Sequence, residues 1–305
     1  MRTLRSTARS ARPGPHVPAA LLVMAVLLGA ASIGPARAAA PKGTVQRLQM
    51  EAPSVGDKSR TVRVYLPPSY FDPAAAGRSY PVVYMLHGWP GSDGNLLSMG
   101  HANDTADSLI ARGAIPQVIM VFPNGAGAGV LGRSYWINAF DGSKRVEDYV
   151  TRDLIAWVDT HFRTVRQASG RGLIGISEGG DAAVNLCFKH PDLFSACGGH
   201  SGDYVLDKEF GTHGFLGPEP GASKLLADNS AALYVDRIVA QVRQQHIYVD
   251  CGTSDESLAH SRAFHQKLEA LHVPHVYNEF PGSHTWGYWG SHMRESLLAV
   301  AGALH

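Results

Sequence analysis

The sequence predicts an α/β protein with a mostly parallel central sheet and helices on both faces. Three observations carry this. Short apolar runs recur at residues 81–86, 117–122, 172–176, 194–197 and 246–251, and strands buried on both faces read as such continuous runs. Between several of them lie segments with apolar residues at a 3.6-residue period, the mark of a helix with one buried face. Strands alternating with helices imply crossover connections, hence parallel neighbours. Composition agrees: 45% of the 305 residues are hydrophobic and 17% charged, ample for a large core and too apolar for a disordered chain.

The first segment in chain order stands apart from this fold. Residues 2–16 carry Arg2, Arg5, Arg9 and Arg12 and no acid, residues 19–33 form an uninterrupted apolar run, and Ala36-Arg37-Ala38 supplies small residues at the spacing a signal peptidase reads. Basic, apolar, small is the order of a secretory signal peptide. The 15-residue run is short of the ~20 residues a spanning helix needs. Cleavage after Ala38 and export are therefore expected, with no stable membrane anchor afterwards. Residues 39–305 then form a single catalytic domain. Removing five Arg and no acids takes the formal charge from +1 to −4, and no charge excess points to nucleic acid.

Residues 60–66 alternate polar and apolar, as a half-buried strand does, and Pro67-Pro68 ends them. Residues 81–86 (PVVYML) and 117–122 (QVIMVF) are buried parallel strands. Residues 146–162 place Val150, Leu154, Ile155, Trp157 and Val158 on one helical face. The strand 172–176 runs into a helix at 181–188. Strands 194–197 and 246–251, a helix at 257–271, a last strand at 273–280 and a last helix at 286–304 complete the series. Residues 203–235 break the alternation; rich in Gly, Pro and Ala, they read as an irregular insertion or cap beside the site.

Export permits disulfides. Cys187, Cys197 and Cys251 all lie in apolar or glycine-rich stretches, and an odd number leaves at least one free thiol. Two readings stand: three buried free thiols, or a Cys197–Cys251 bridge if their strands are neighbours.

The chemistry enters at Gly175-Ile176-Ser177-Glu178-Gly179, a G-x-S-x-G motif between an apolar strand and a helix. There a serine sits on a strained turn that lifts its hydroxyl above the sheet, crowding favours glycine on either side, and the helix N-terminus favours developing negative charge. Alone the motif is weak. Two further matches in the chain order nucleophile, acid, histidine strengthen it. Asp255, 78 residues on, ends the strand Tyr248-Val249-Asp250-Cys251-Gly252 at its carboxyl edge, where ligands bind in α/β sheets. Glu256 could take the same place if the turn is one residue longer. Asp250, inside the strand, reads as structural. His284 follows the last strand and precedes the last helix, placed to accept the serine proton and return it to the leaving group. The chain has 15 His, so position is the informative part; His272, His275 and His292 read as surface or helix-face residues.

An acyl-transfer site also needs two aimed N–H donors. One is the residue after the nucleophile, Glu178. The other belongs to the loop after Leu86, where Leu86-His87-Gly88-Trp89-Pro90 makes the Trp89 amide the natural donor. There is no H-E-x-x-H, no paired C-x-x-C and no phosphate-binding glycine loop with Lys, so no metal and no cofactor are expected.

On these residues the chain resembles the α/β-hydrolase fold and, within it, the Putative esterase family, which includes esterase D (S-formylglutathione hydrolase), feruloyl-esterase modules and secreted mycolyltransferases. The resemblance runs from about Val45 to the C-terminus. Its matches are Val64-Tyr65-Leu66-Pro67, Leu86-His87-Gly88, Ser134-Tyr135-Trp136, the helix at 147–162, residues 175–180 and 252–255, and Gly282-Ser283-His284-Thr285-Trp286-Gly287-Tyr288-Trp289, which is close to the mycolyltransferase histidine motif. It implies a triad of Ser177, Asp255 and His284 and oxyanion amides from Trp89 and Glu178. Two departures matter. Where the mycolyltransferases carry an Asp and an Arg for the sugar acceptor, this chain has His87 and Pro90, which favours hydrolysis. The residue after the nucleophile, usually apolar, is Glu178; a side chain turned into the pocket would repel anionic substrates.

The function expected is therefore a secreted serine esterase acting on small-molecule or cell-wall esters through an acyl-enzyme. An acyltransferase using a sugar or glycerol acceptor shares the first half-reaction. A non-catalytic cell-wall binding module is the alternative from another class, disfavoured by a complete set of nucleophile, base and acid.

Overall fold

The computed structural model describes residues 40–125, 132–210, 212 and 214–305. The signal peptide expected at 1–38 lies outside them, as does part of the loop after residue 125. Along the described chain run β1 (Thr44–Ala52), β2 (Asp57–Leu66), β3 (Val82–Leu86), β4 (Ile119–Pro123), β5 (Arg171–Ile176), β6 (Ala196–His200), β7 (His246–Gly252) and β8 (Val276–Phe280). They form one sheet in the order β1-β2-β4-β3-β5-β6-β7-β8. The β1–β2 and β2–β4 pairs are antiparallel and every other pair is parallel. Residues 40–305 pack as one compact unit, and no helix among the described residues is long and apolar enough to cross a membrane.

Alternate residues of the central strands feed two cores. Val82, Tyr84, Leu86, Ile119, Val121 and Leu173 face one, with helices Ile155–His161, Glu178–Lys189 and Leu258–Ala270 on that side. Val83, Met85, Met120, Phe122, Ile174 and Ile176 face the other, under helices Ala102–Ala111 and Trp286–Ala301. Both faces are covered, which is why these strands show no polar alternation.

The structure departs from the sequence reading in instructive places. β1 was not foreseen: it is an edge strand whose residues are mostly exposed or half-buried, so it lacks an apolar signature. The helix foreseen at 146–162 is present but widens into a π-helical segment at Tyr149–Leu154, and periodicity alone does not distinguish that winding. β6 starts two residues and ends three residues later than foreseen, because Gly198, Gly199 and His200 continue the ladder. Within 203–235 the described residues up to Pro220 are irregular, and helices follow at Gly221–Asp228 and Ala231–Tyr234. The Cys197–Cys251 bridge is not formed, and all three cysteines are buried free thiols. Their strands are neighbours, but Cys197 pairs with Ile247, so Cys251 lies four residues, about 13 Å, further along. A disulfide tolerates a Cα separation of only about 7 Å.

Candidate active site

The parallel strands β3, β5, β7 and β8 deliver four loops to one edge of the sheet. Ser177 ends β5 with φ 53° and ψ −128°, a left-handed φ that L-residues adopt only under constraint. The constraint is visible. A Cβ on Gly175 would lie 1.8 Å from the Gly179 carbonyl oxygen, and one on Gly179 would lie 2.2 Å from that of Leu86. The turn closes only without those atoms. The Ser177 amide donates to the His200 carbonyl at 2.8 Å, tying the turn to β6.

His284 meets this serine across 107 residues. Its Nε2 lies 2.8 Å from Ser177 Oγ, and its Nδ1 lies 2.9 Å from Asp255 Oδ1. The Asp255 carboxylate oxygen also accepts the Ser257 amide at 2.9 Å. The acid and histidine loops are stitched together, with Ser254 N–H donating to the Gly282 carbonyl and Thr253 N–H to that of Phe280, both at 2.8 Å. Asp255 therefore meets the imidazole, while Glu256 is exposed and lines the cavity mouth. Burial works against a charged Asp255, but the His284 hydrogen bond and the Ser257 amide prevail and hold its carboxyl below the usual range. Burial likewise opposes a charged His284, yet the hydrogen bond and charge of Asp255, then Glu256 and Asp203, raise it above the ordinary histidine value.

Asp250, read as structural, is fully buried and accepts hydrogen bonds from the Tyr248 and Tyr288 hydroxyls at 2.6 and 2.9 Å, with His200 Nδ1 2.9 Å away. Its hydrogen-bond partners are thus two tyrosines and His200, and those of His284 are Asp255 and Ser177. His292 stacks on Phe280 and His275 bonds His265, and neither lines the cavity beside the serine.

The two amide donors expected from Trp89 and Glu178 flank the serine. Glu178 is the first residue of its helix, where an amide has no intrahelical acceptor. Trp89 follows Gly88, where a Cβ would lie 2.9 Å from Ser177 Cβ. His87 was noted only as a replacement for an acid, but it does something specific here. Its Nε2 accepts the Gly125 amide at 3.0 Å, which leaves Nδ1 as the protonated nitrogen, and Nδ1 donates to the Gly88 carbonyl at 2.8 Å. The Gly88–Trp89 peptide is one planar unit. Fixing its carbonyl on the His87 side turns the Trp89 N–H the opposite way. Burial pushes the His87 imidazole down to about 4, keeping it neutral.

Glu178 turns its carboxylate toward the cavity lining, as the sequence reading allowed, but it is compensated. Oε1 accepts the Tyr135 amide at 2.9 Å and Oε2 lies 3.4 Å from Arg133 Nε. Burial still pushes its carboxyl up to about 7, against the opposing pull of Arg133. The Ser134-Tyr135-Trp136 match thereby acquires a role: Tyr135 holds Glu178, and the Trp136 indole N–H donates to the His87 carbonyl at 3.2 Å. Arg133, immediately before that match, escaped the sequence reading; a lone Arg in a loop carries no pattern.

These residues surround a cavity of 430 Å³ lined by Ser177, His284, Trp89, Arg133, Leu206 and Glu256 among others, a size suited to a small ligand. The segment at 203–209 forms one wall and brings Asp203 and Asp207 to it. Among the described residues no cluster of His, Cys, Asp or Glu has the makings of a metal site.

Comparison with known proteins fits this geometry. A family model described as Putative esterase matches residues 54–300. The chain belongs to the Putative esterase family. Esterase Rv1288 of Mycobacterium tuberculosis is 28% identical over 256 residues, covering 74% of this chain and 52% of that protein. The MPT51 antigen of Mycobacterium leprae is 25% identical over 263 residues, covering 75% and 84%. Among solved structures, a ferulic acid esterase superposes with a TM-score of 0.77 at 25% identity, over 87% of this chain and all of that one. The chain spans about half the length of the first curated relatives it matches. The chain thus shares its family and its α/β-hydrolase architecture with proteins named as esterases.

Proposed function

We propose that this protein is an exported serine esterase that cleaves carboxylic esters through an acyl-enzyme. The observation that carries the reading is the continuous hydrogen-bonded line from Ser177 Oγ through His284 to Asp255, at 2.8 and 2.9 Å. Asp255 accepts Nδ1–H and so leaves the Nε2 lone pair facing the serine hydroxyl. Ser177 Oγ attacks the ester carbonyl as its proton passes to His284 Nε2. The carbonyl oxygen becomes an oxyanion that accepts from the Trp89 and Glu178 amides. Collapse breaks the carbonyl–alkoxy bond, the alcohol leaves with the proton from His284, and an acyl-serine ester remains. Water repeats the sequence and releases the acid.

Hydrolysis is favoured over transfer to a sugar or glycerol because His87, which stands where the transferases hold an acceptor-binding acid, is 5% exposed with both ring nitrogens engaged. The Asp203, Asp207 and Glu256 carboxylates along the cavity favour neutral or cationic esters. Small-molecule esters and esters of cell-wall polymers both suit an exported enzyme, and the resemblance to a ferulic acid esterase makes aromatic acyl groups worth including among the substrates tried.

A fluorophosphonate tests the reading directly. Labelling of the wild type and none of Ser177→Ala is expected; an unlabelled wild type would favour a binding module and sink the proposal. A panel of esters graded by acyl length and aromaticity, with and without added glycerol, then reports substrate class and acceptor together.

A further inference from the structure

We infer that Arg133 is a positioning residue for the oxyanion hole, its guanidinium joining the side chains of the two residues whose amides receive the oxyanion. The inference rests on the esterase mechanism proposed above. Trp89 and Glu178 are 89 residues apart and sit on different elements. The Arg133 guanidinium lies 4.3 Å from the centre of the Trp89 ring, while its Nε is 3.4 Å from Glu178 Oε2. Its Nη1 pairs with Glu209, which also lines the cavity. Glu178 is in turn anchored to the same segment, since Oε1 accepts the Tyr135 amide at 2.9 Å. One planar cation thus stacks on one donor residue and lies in ion-pair contact with the other.

The two amides differ in how firmly the backbone holds them. Glu178 begins a 12-residue helix whose preceding strand pairs in register with β3, Gly175 opposite Leu86. Its amide is set by regular structure. Trp89 lies beyond the end of β3 in an irregular loop, with its ring only part-buried. A shift of that ring carries the Trp89 backbone with it. The Arg133 stack transfers the rigidity of the helix, through Glu178, to the looser donor. Displacements of about 1 Å at such a group cost up to roughly 100-fold in rate.

The alternative use for a cavity-lining Arg is to bind a substrate carboxylate. Arg133 is poorly suited to it. Only 9% exposed, it already serves two carboxylates, and a guanidinium face is occupied by Trp89. Its charge is compensated before substrate arrives. A lysine could not replace it, because an ammonium lacks the planar fork that stacks and bridges at once.

An oxyanion donor acts in the transition state and contributes little to ground-state binding. With a neutral p-nitrophenyl ester, Arg133→Ala is therefore expected to lower kcat by about 10- to 100-fold with KM within about twofold, short of the 10²–10³-fold typical of a donor lost outright. Trp89→Leu, which keeps the amide and removes the ring, should lower kcat similarly. The double variant should be no slower than the slower single one, as members of one linkage are not additive. Arg133→Lys should remain impaired in kcat, and it carries the test with Trp89→Leu if Arg133→Ala does not fold. Wild-type kcat in Arg133→Ala or in Arg133→Lys, a loss confined to KM, or additive losses in the double variant each overturn the role of Arg133. Fluorophosphonate labelling is run alongside: a labelled wild type with any of those results leaves the triad standing, whereas an unlabelled wild type removes both proposals.

Discussion

His284 serves as a base only while its imidazole is neutral. Burial favours that form, but the hydrogen bond and charge of Asp255 outweigh it and raise the imidazole above its ordinary 6.5. The rate should therefore rise with pH through a value above 6.5, as the proton leaves His284. Asp255→Asn removes the main stabiliser of the imidazolium, so its rising limb should move to lower pH while kcat falls by about 10⁴-fold, as when a triad Asp is neutralised elsewhere. A kcat/KM profile against pH for both proteins reads this; a limb that stays in place would show that Asp255 does not govern the histidine. Glu178 supplies a second titration. Its carboxyl is raised from 4.5 to about 7 by burial, so between those values the folded state holds a proton that the unfolded chain has released. Folding stability due to this group is present below pH 4.5 and is lost as pH rises toward 7. Glu178→Gln cannot titrate and should gain on the wild type across that window by roughly 2–3 kcal/mol, read from denaturant midpoints at pH 4.5 and 7.5. Equal differences at both pH values would contradict the burial argument. Of these residues, Ser177 and His284 were legible from motif and chain order. Asp255 was favoured, with Glu256 as the alternative, because one residue of turn length decides which carboxylate meets the ring.

The strand-to-helix turn owes its shape to three elements pressed together. A methyl group at Gly179 would strike the Leu86 and His87 carbonyls at the end of β3, and both collision partners are backbone that cannot step aside. Gly179→Ala should cost about 3 kcal/mol or more, in the range of strained or overpacked sites, and should abolish labelling of Ser177 even where some protein folds. A thermal melt and a labelling gel check the two halves separately. The loop after β3 shows the complementary device, a side chain that sets a peptide plane. His87→Ala frees the Gly88 carbonyl and should lower kcat about 10-fold with the fold retained, a modest loss beside the 10²-fold or more of a deleted donor. Circular dichroism and steady-state kinetics test it together. The glycines of the turn were legible because the motif is local. The work of His87 was not, since its partners Gly125 and Trp136 lie 38 and 49 residues away. The same holds for β1, an edge strand whose pairing with β2 leaves most side chains in water.

Across the molecule the thiols separate topology from register. β6 and β7 are adjacent, yet Cys197 and Cys251 stand out of register, and burial holds the Cys187 and Cys251 thiols above their ordinary range. A thiol reagent should modify all three cysteines in denaturant and almost none in the folded protein, with a melting temperature indifferent to reductant. A reductant-sensitive melt would reveal a bridge. The proposed export belongs to this scale too: its expected product begins at Ala39, and an intact mass that retains residues 1–38 in the protein recovered from the medium would contradict it.

Local sequence determined the kind and order of the elements, the serine turn and the histidine loop, because periodicity and steric demand act over a few neighbouring residues. Tertiary structure decided that Asp255 rather than Glu256 meets His284, that Glu178 is held by Arg133 and Tyr135, and that no thiols join. Those outcomes depend on strand register and on which loops share a sheet edge. Neither is encoded within any one segment.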